Sequence, residues 1–134
     1  MPNTKLGKMQ FQFAELVWHY APLPSGELAR ICQQELNWKK STTYTVLRKL
    51  CEKGLFKNED ELVSVLMTRE QFFAAQSERF VEEAFGGSLP AFIAAFTSRK
   101  KLSSAEIDEL ERVINNSRKE GRKEGRKERL KQAA

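Results

Sequence analysis

The residues best suited to contact another molecule lie in one stretch, NWKKSTTYTVLRKL, from Asn37 to Leu50. Five consecutive hydroxyl-bearing side chains occupy positions 41–45, with basic residues on both sides of them. Hydroxyl groups can hydrogen-bond to base edges or phosphates, and an arginine can pair with guanine through two hydrogen bonds. The alternative is an ordinary surface helix, although threonine and tyrosine are poor helix formers. The stretch therefore favours a helix that lies against nucleic acid.

The positive charge of the chain is concentrated in two segments. From Arg118 onward there are eight Lys/Arg and three Glu, which leaves fifteen basic and fifteen acidic side chains in residues 1–117. Within that neutral part, residues 38–57 hold six basic side chains against only Glu52, a local net charge of +5. Because affinity for phosphate follows the charge at the contact surface, this local excess supports the nucleic-acid prediction.

The remaining composition argues against other protein classes. Hydrophobic residues form 40% of the 134 residues, enough for a modest core, and no apolar run approaches the roughly 18 residues of a membrane span. No apolar segment follows Met1, so a cytoplasmic protein is expected. Cys32 and Cys51 lack metal-ligand spacing and are expected to be reduced, largely buried thiols. With His19 as the single histidine and no nucleophile or phosphate-loop motif, we expect no enzyme, cofactor or metal.

Three helices and a β-hairpin are predicted to position the basic stretch. Apolar residues at helical spacing, interrupted by the prolines of APLP and by Asn37, indicate the helices. After Gly54 the period changes to that of strands. The predicted elements are helices at 11–20, 25–36 and 41–53, and strands at 55–57 and 62–66. This order is typical of a winged helix-turn-helix domain.

The third predicted helix has two different sides. Its inward side holds Thr43, Val46, Leu47 and Leu50, and Trp38 before it is expected to fill the core beside the second helix. The other side is polar and basic, with hydroxyls and Arg48 toward bases and lysines toward phosphates. The predicted DNA-binding residues are Lys39, Lys40, Ser41, Thr42, Tyr44, Thr45, Arg48, Lys49, Lys53 and Lys57.

The second half of the chain is predicted to be a helical dimerisation arm. Capping boxes at Thr68 and Ser103 mark the starts of helices, which are rich in aromatic residues. Segments below about 40 residues rarely bury enough apolar surface alone, so we expect these helices to pack against a second copy in a C2 dimer. The predicted dimerisation residues are Phe72, Phe80, Leu89, Phe92, Ile93, Phe96, Ile107 and Leu110.

The C-terminal segment repeats a basic four-residue unit, RKEG, without an apolar stripe. Gly121 and Gly125 each disfavour a helix by about 1 kcal/mol relative to alanine. We therefore expect a frayed or disordered tail that is either a solvated extension or a weak, nonspecific DNA contact. The predicted domains are a DNA-binding domain at 1–67, a dimerisation region at 68–117 and the basic tail at 118–134.

Several ordered motifs carry a resemblance to a known family. They are Leu16-Val17-Trp18, then Asn37-Trp38, then Thr42-x-x-Thr45-x-x-x-x-Leu50-x-x-Lys53-Gly54, followed by SERFVEEAFGGSLPAFIAAF and LSSAEIDELERVI. Over roughly residues 10–115 the chain resembles the penicillinase-repressor (BlaI/MecI/CopY) family of bacterial transcription factors. The resemblance implies a homodimeric repressor that places its third helix in the major groove of a palindromic double-stranded DNA operator.

The resemblance also implies how repression would end. In the family, a membrane sensor metalloprotease that responds to β-lactams leads to cleavage in the helix joining the two regions. The matching bond here is Arg79–Phe80, with Arg79 where the family usually has asparagine. The chain also lacks the CxC cluster of copper-responsive members, so copper sensing is not expected.

The predicted wing departs from the family, whose wing is longer and basic. Here it is short and tipped with Glu59, Asp60 and Glu61, which phosphates repel. We expect little DNA contact from this tip and assign phosphate contact to Lys53 and Lys57 at its base. Two alternatives stay open: a ligand-sensing winged-helix regulator with a small molecule in its Phe-rich arm, and a winged-helix module that docks a protein partner.

Overall fold

The protein, described by a computed structural model over residues 5–133, is mainly helical with a small sheet, which confirms the predicted fold class. The first four residues of the predicted DNA-binding domain and the last residue of the predicted tail lie outside the described residues. Two compact units are present, one through Ser88 and one from Leu89. The elements are α1 (Lys8–Tyr20), β1 (Leu23–Pro24), α2 (Ser25–Leu36), α3 (Lys40–Glu52), β2 (Phe56–Glu59), β3 (Leu62–Val65), α4 (Arg69–Phe85), α5 (Leu89–Arg99) and α6 (Ser104–Ala133).

The sheet of the first unit has three antiparallel strands in the order β1-β3-β2. The hairpin β2–β3 turns at Asp60 and Glu61, whose φ angles are 52° and 63°. Positive φ at both central residues is the geometry of a type I′ turn, which matches the twist of the flanking strands. The sequence missed β1, where Leu23 pairs with Val63. A two-residue strand is too short for an alternating pattern, and proline is tolerated at a sheet edge.

The core of the first unit fixes the position of α3. Trp38 is 8% exposed and stacks on Phe13 with ring centroids 5.7 Å apart and an interplanar angle of 12°, as its predicted core role requires. From α3 the inward side contributes Leu47 and Leu50, both buried, and Thr43, which is fully buried and donates its hydroxyl to the Lys39 carbonyl at 3.4 Å. The helix is therefore held along its whole inner face.

Two backbone conformations separate α3 from its neighbours. Asn37 adopts the left-handed conformation, with φ of 56°, and ends α2. Gly54 follows α3 with φ of 87°, a conformation that glycine adopts without steric cost. The turn between α2 and α3 therefore contains only three residues outside the helices, and α3 begins one residue earlier than predicted.

The beginning of α4 packs against α1, which changes one predicted assignment. Phe72 is 4% exposed, with its ring centroid 5.3 Å from Trp18 and 6.1 Å from Phe11. The Trp18 indole also donates to the Met67 carbonyl at 3.0 Å. Phe72 is thus a core residue of the first unit rather than a dimerisation residue. The helical spacing of Phe72 predicts that it faces an apolar surface, but it does not distinguish the core of the first unit from the surface of a second copy.

The second unit consists of α5 and the 30-residue helix α6. The predicted capping box precedes α6, since the Glu106 amide donates to the Ser103 hydroxyl at 3.1 Å. The basic segment is helical through Ala133, so the prediction of a frayed or disordered tail was wrong. A helix already formed from Ser104 can be extended without a new nucleation cost. Arginine, lysine and glutamate are also good helix formers.

We expect Trp38→Ala to lower the free energy of unfolding by about 3–5 kcal/mol, because it removes the ring that stacks on Phe13. Urea unfolding followed by circular dichroism measures this change. Tyr20→Ala is the matched control, since Tyr20 is 43% exposed and its loss should cost below about 1 kcal/mol. Equal destabilisation by the two changes would contradict the core role of Trp38.

Candidate nucleic-acid interface

The outer face of α3 carries the side chains that sequence analysis assigned to DNA. Ser41, Thr45, Arg48 and Lys49 are exposed, and Thr42 and Tyr44 are partly exposed. The first turn of α3 contains no acidic residue, and its N-cap, Lys39, provides no side-chain cap. The N-terminal amides can therefore donate hydrogen bonds to a phosphate, and the partial positive charge of the helix start attracts it.

Two side chains on this face already have defined orientations. The Thr45 hydroxyl donates to the Ser41 carbonyl at 2.9 Å, which leaves its methyl group as the part best placed for an apolar contact. The Lys40 ammonium lies 5.9 Å from the centroid of the Tyr44 ring, a cation–π distance. Arg48 is exposed and separated from this pair by one helical turn. From Lys40 to Lys49 the face combines hydroxyl and methyl groups, an aromatic ring and a guanidinium, and its one carboxylate, Glu52, is the last residue of the helix.

The lysines around α3 differ in their surroundings. Lys39, Lys40 and Lys49 are exposed. Lys53 donates to the Lys5 carbonyl at 2.7 Å, a contact across 48 positions that no local sequence pattern indicates. Lys57 pairs with Glu59 at 2.5 Å on the hairpin. The two lysines assigned to phosphates at the base of the wing therefore both have protein partners.

The tip of the hairpin is acidic and exposed. Glu59, Asp60 and Glu61 are all exposed, and Glu59 is the partner of Lys57. The Glu61 carbonyl accepts a hydrogen bond from the Ser25 amide at 2.8 Å, which ties the turn to the start of α2. A negative tip held in this way repels phosphate, so the hairpin tip does not extend the positive surface formed by α3 and the lysines beside it.

Most of the residues assigned to dimerisation are on the surface of their own unit. In α4, Phe80 is 53% exposed. In the second unit, α5 and α6 enclose an open groove of about 350 Å³, lined by Phe92, Ile93, Phe96, Leu102, Leu110 and Val113. Leu89, Ile107 and Ile114 are exposed as well. No residue of α5 is buried, so this helix pair leaves most of its apolar surface in solvent.

The candidate cleavage bond, Arg79–Phe80, lies within α4. Both residues are exposed, and the Arg79 guanidinium donates to Glu83 at 2.9 Å. This hydrogen bond and the positive charge beside it lower the pKa of the Glu83 carboxyl. The bond is accessible at the surface, but its backbone is helical, so a protease that binds extended chains would need local unwinding.

Other chemically reactive side chains do not form a site. Cys32 and Cys51 are free thiols, and burial raises the pKa of each. His19 is exposed at the end of α1, with its ring against Tyr20. Among residues 5–133, no three His, Cys, Asp or Glu side chains are grouped as metal ligands would be.

Comparison with known proteins places these features in a family. The family model described as "Penicillinase repressor" matches residues 6–116. The penicillinase repressor of Bacillus licheniformis is 19% identical over 114 residues, covering 82% of this chain and 89% of that protein. The methicillin resistance regulatory protein MecI of Staphylococcus aureus is 19% identical over 115 residues, covering 83% and 94%. MecI of Mammaliicoccus sciuri is 18% identical with the same coverage.

The pairing of Lys57 with Glu59 yields a prediction for the hairpin. Glu59→Gln should strengthen binding to duplex DNA, because it releases the Lys57 ammonium and removes one repulsive charge. One more phosphate contact should steepen the dependence of log affinity on log salt by about 0.9. Fluorescence anisotropy with a duplex at several salt concentrations measures both quantities.

Glu70→Gln removes the same charge from an exposed position in the first turn of α4 and serves as the control. Lys57→Ala should have the opposite effect to Glu59→Gln. If Lys57→Ala leaves affinity and salt dependence unchanged, Lys57 makes no phosphate contact.

Proposed function

The chain belongs to the penicillinase-repressor family, and we propose that it is a homodimer that binds a palindromic DNA operator through α3. The family is one of DNA-binding transcriptional repressors, and its members are not enzymes. Repression would follow from occupation of the operator, which denies the promoter to the transcription machinery. The observation that carries the proposal is the exposed face of α3, which has no acidic residue from Lys40 to Lys49, on a helix whose opposite face is buried in the core.

The chemistry of α3 supports base contact in the major groove. An α-helix fits this groove, where arginine pairs with guanine O6 and N7 and a threonine methyl group can meet a thymine methyl. Arg48 and Thr45 supply these two groups from adjacent turns of α3. Lys39, Lys40 and Lys49 would contact phosphates, which set the position of the helix without reading sequence.

The second unit supports the homodimer. An α5–α6 pair with an open apolar groove and exposed Ile107 and Leu110 gains stability by burying this surface against an identical pair. Two copies of α3 would then be held on one assembly, and binding at the first half-site raises the effective concentration at the second. A palindromic operator follows from the two-fold symmetry.

The proposed release step is cleavage of the Arg79–Phe80 bond by a membrane sensor metalloprotease that responds to β-lactam or cell-wall stress. Both residues are exposed, and the cut would separate the first 79 residues from the groove of the second unit. Loss of the dimer would then weaken operator binding. None of the described helices is both long and apolar enough to cross a bilayer, and we propose that the repressor acts in the cytoplasm.

Arg48→Ala is expected to weaken binding to the operator by about 1–3 kcal/mol while leaving binding to random duplex DNA nearly unchanged. Selection from a random-sequence duplex pool with the wild-type protein supplies the operator probe, and anisotropy titrations supply the affinities. Equal loss on both duplexes would contradict base contact by Arg48 and indicate a phosphate contact.

Thr45 provides a matched pair of substitutions. Its hydroxyl is occupied by the Ser41 carbonyl, so Thr45→Val should retain operator affinity because it keeps a methyl group on the outer face. Thr45→Ser keeps the hydroxyl and loses the methyl group, and it should weaken the operator complex. The reverse order of the two variants would show that the hydroxyl is the contacting group.

Phe96→Glu should convert the dimer to a monomer, because it places a charge in the apolar groove. The side chain is 46% exposed, so the substitution should leave each protomer folded, as circular dichroism would show. Met9→Glu alters a residue that is 57% exposed at the start of α1 and is the control. Sedimentation velocity measures the result, and an unchanged dimer in Phe96→Glu would contradict an interface through this groove.

A further inference from the structure

The last part of α6 extends beyond the region that the family model matches, which ends at residue 116. Between Arg118 and Arg129 it contains seven Lys/Arg and three Glu. All ten of these side chains are exposed. Throughout the part of the chain that the structure describes, no ion pair involves any of them. The basic side chains of this segment therefore have no ion-pair partner among residues 5–133 and outnumber its acidic ones.

The four-residue repeat separates the two signs of charge around the helix. Each residue advances about 100°, so residues four apart lie about 40° apart around the axis. The arginines fall within an arc of about 80°, the first three lysines occupy the next 80° or so, and the glutamates lie on the far side from the arginines. The basic face, as we define it, consists of Arg118, Lys119, Arg122, Lys123, Arg126, Lys127 and Arg129.

Glycines border the arginine side of this face. Gly121 and Gly125 have no side chain, and a Cβ at either position would meet no atom within 4 Å. The helix backbone is therefore open to close approach beside the arginines. Arg129 lies back over this border, with its guanidinium donating to the Gly125 carbonyl at 3.3 Å.

We propose that the basic face of α6 binds the phosphate backbone of duplex DNA without reading its sequence. The face is about 16 Å long, from a rise of about 1.5 Å per residue. Duplex DNA carries one negative charge per roughly 1.7 Å of its axis, so every arginine along the face has phosphates within reach. Arginine is suited to phosphate because its planar group can donate two parallel hydrogen bonds.

The composition of this helix favours DNA over two other occupants. Binding to a lipid surface requires an apolar face opposite the basic one, and between positions 118 and 131 the only large apolar side chain is Leu130. A coiled coil with a second copy requires apolar residues every three to four positions, which this segment lacks. Charge complementarity with a polyanion is the remaining source of affinity.

The proposal rests on the proposed function for its choice of polyanion, but its test does not require an operator. The full chain carrying Arg118→Gln, Arg122→Gln and Arg126→Gln is compared with wild type on a random-sequence 60-base-pair duplex. The control carries Arg99→Gln, Lys100→Gln and Lys101→Gln, which remove three charges from exposed positions of the same unit. Glutamine and arginine have similar helix propensities, and circular dichroism checks that α6 is retained.

We expect the triple variant in the basic face to make the negative slope of log affinity against log salt shallower by about 2–3, since each lost phosphate contact removes about 0.9 from its magnitude. The affinity of the triple variant for the random duplex should fall at least tenfold at 0.1 M salt. The control should change the slope by less than about 0.9, the value of one phosphate contact. Preference for the operator over the random duplex should stay constant, because the face reads no bases.

Three results would overturn the proposal. They are a slope equal to that of the control, a slope equal to that of wild type, and loss of the triple variant's binding to phosphatidylglycerol–phosphatidylcholine vesicles while its DNA binding stays intact. Failure of the proposed operator function is a different result, since the wild-type protein would then select no sequence from a random pool. The salt dependence on random DNA would still report on the basic face.

Discussion

The stacking of Trp38 on Phe13 is the contact on which the position of α3 depends. The three-residue turn after Asn37 gives α3 little freedom of its own, and the buried indole fixes the direction in which the helix leaves α2. Thr43 and Leu47 then hold the inner face. The rigid inner face therefore gives the outer side chains of α3 fixed positions.

Positive charge is distributed so that only selected surfaces attract a polyanion. The wing tip is acidic, and its Glu59 forms an ion pair with Lys57. The hairpin therefore adds no positive charge to the surface of α3. At the C-terminal end of α6 the opposite arrangement holds, since the repeat moves its glutamates away from the arginines. One surface has the side chains for reading bases, and the other has only the chemistry for binding phosphates.

The sequence predicted the elements well where apolar spacing and end signals agreed, as in α2, α3 and the capping boxes of α4 and α6. It failed where the deciding contact is distant along the chain. Phe72 would face an apolar surface both as a dimerisation residue and as a core residue. Only the folded structure shows that this surface includes Trp18 of its own unit. The basic segment is helical because it continues the helix that begins at Ser104, an effect that residue propensities alone do not predict. The outer residues of α3 were predictable because helical spacing fixes them once the inner face is known.

Amide NMR spectra of the full chain, recorded with and without a duplex selected from a random pool, test the central claim most directly. If α3 is the element that contacts bases, the largest shift changes should lie between Lys39 and Lys49, and Asp60 at the hairpin tip should change little. Largest changes at the hairpin tip or along α2, with α3 unaffected, would contradict the account.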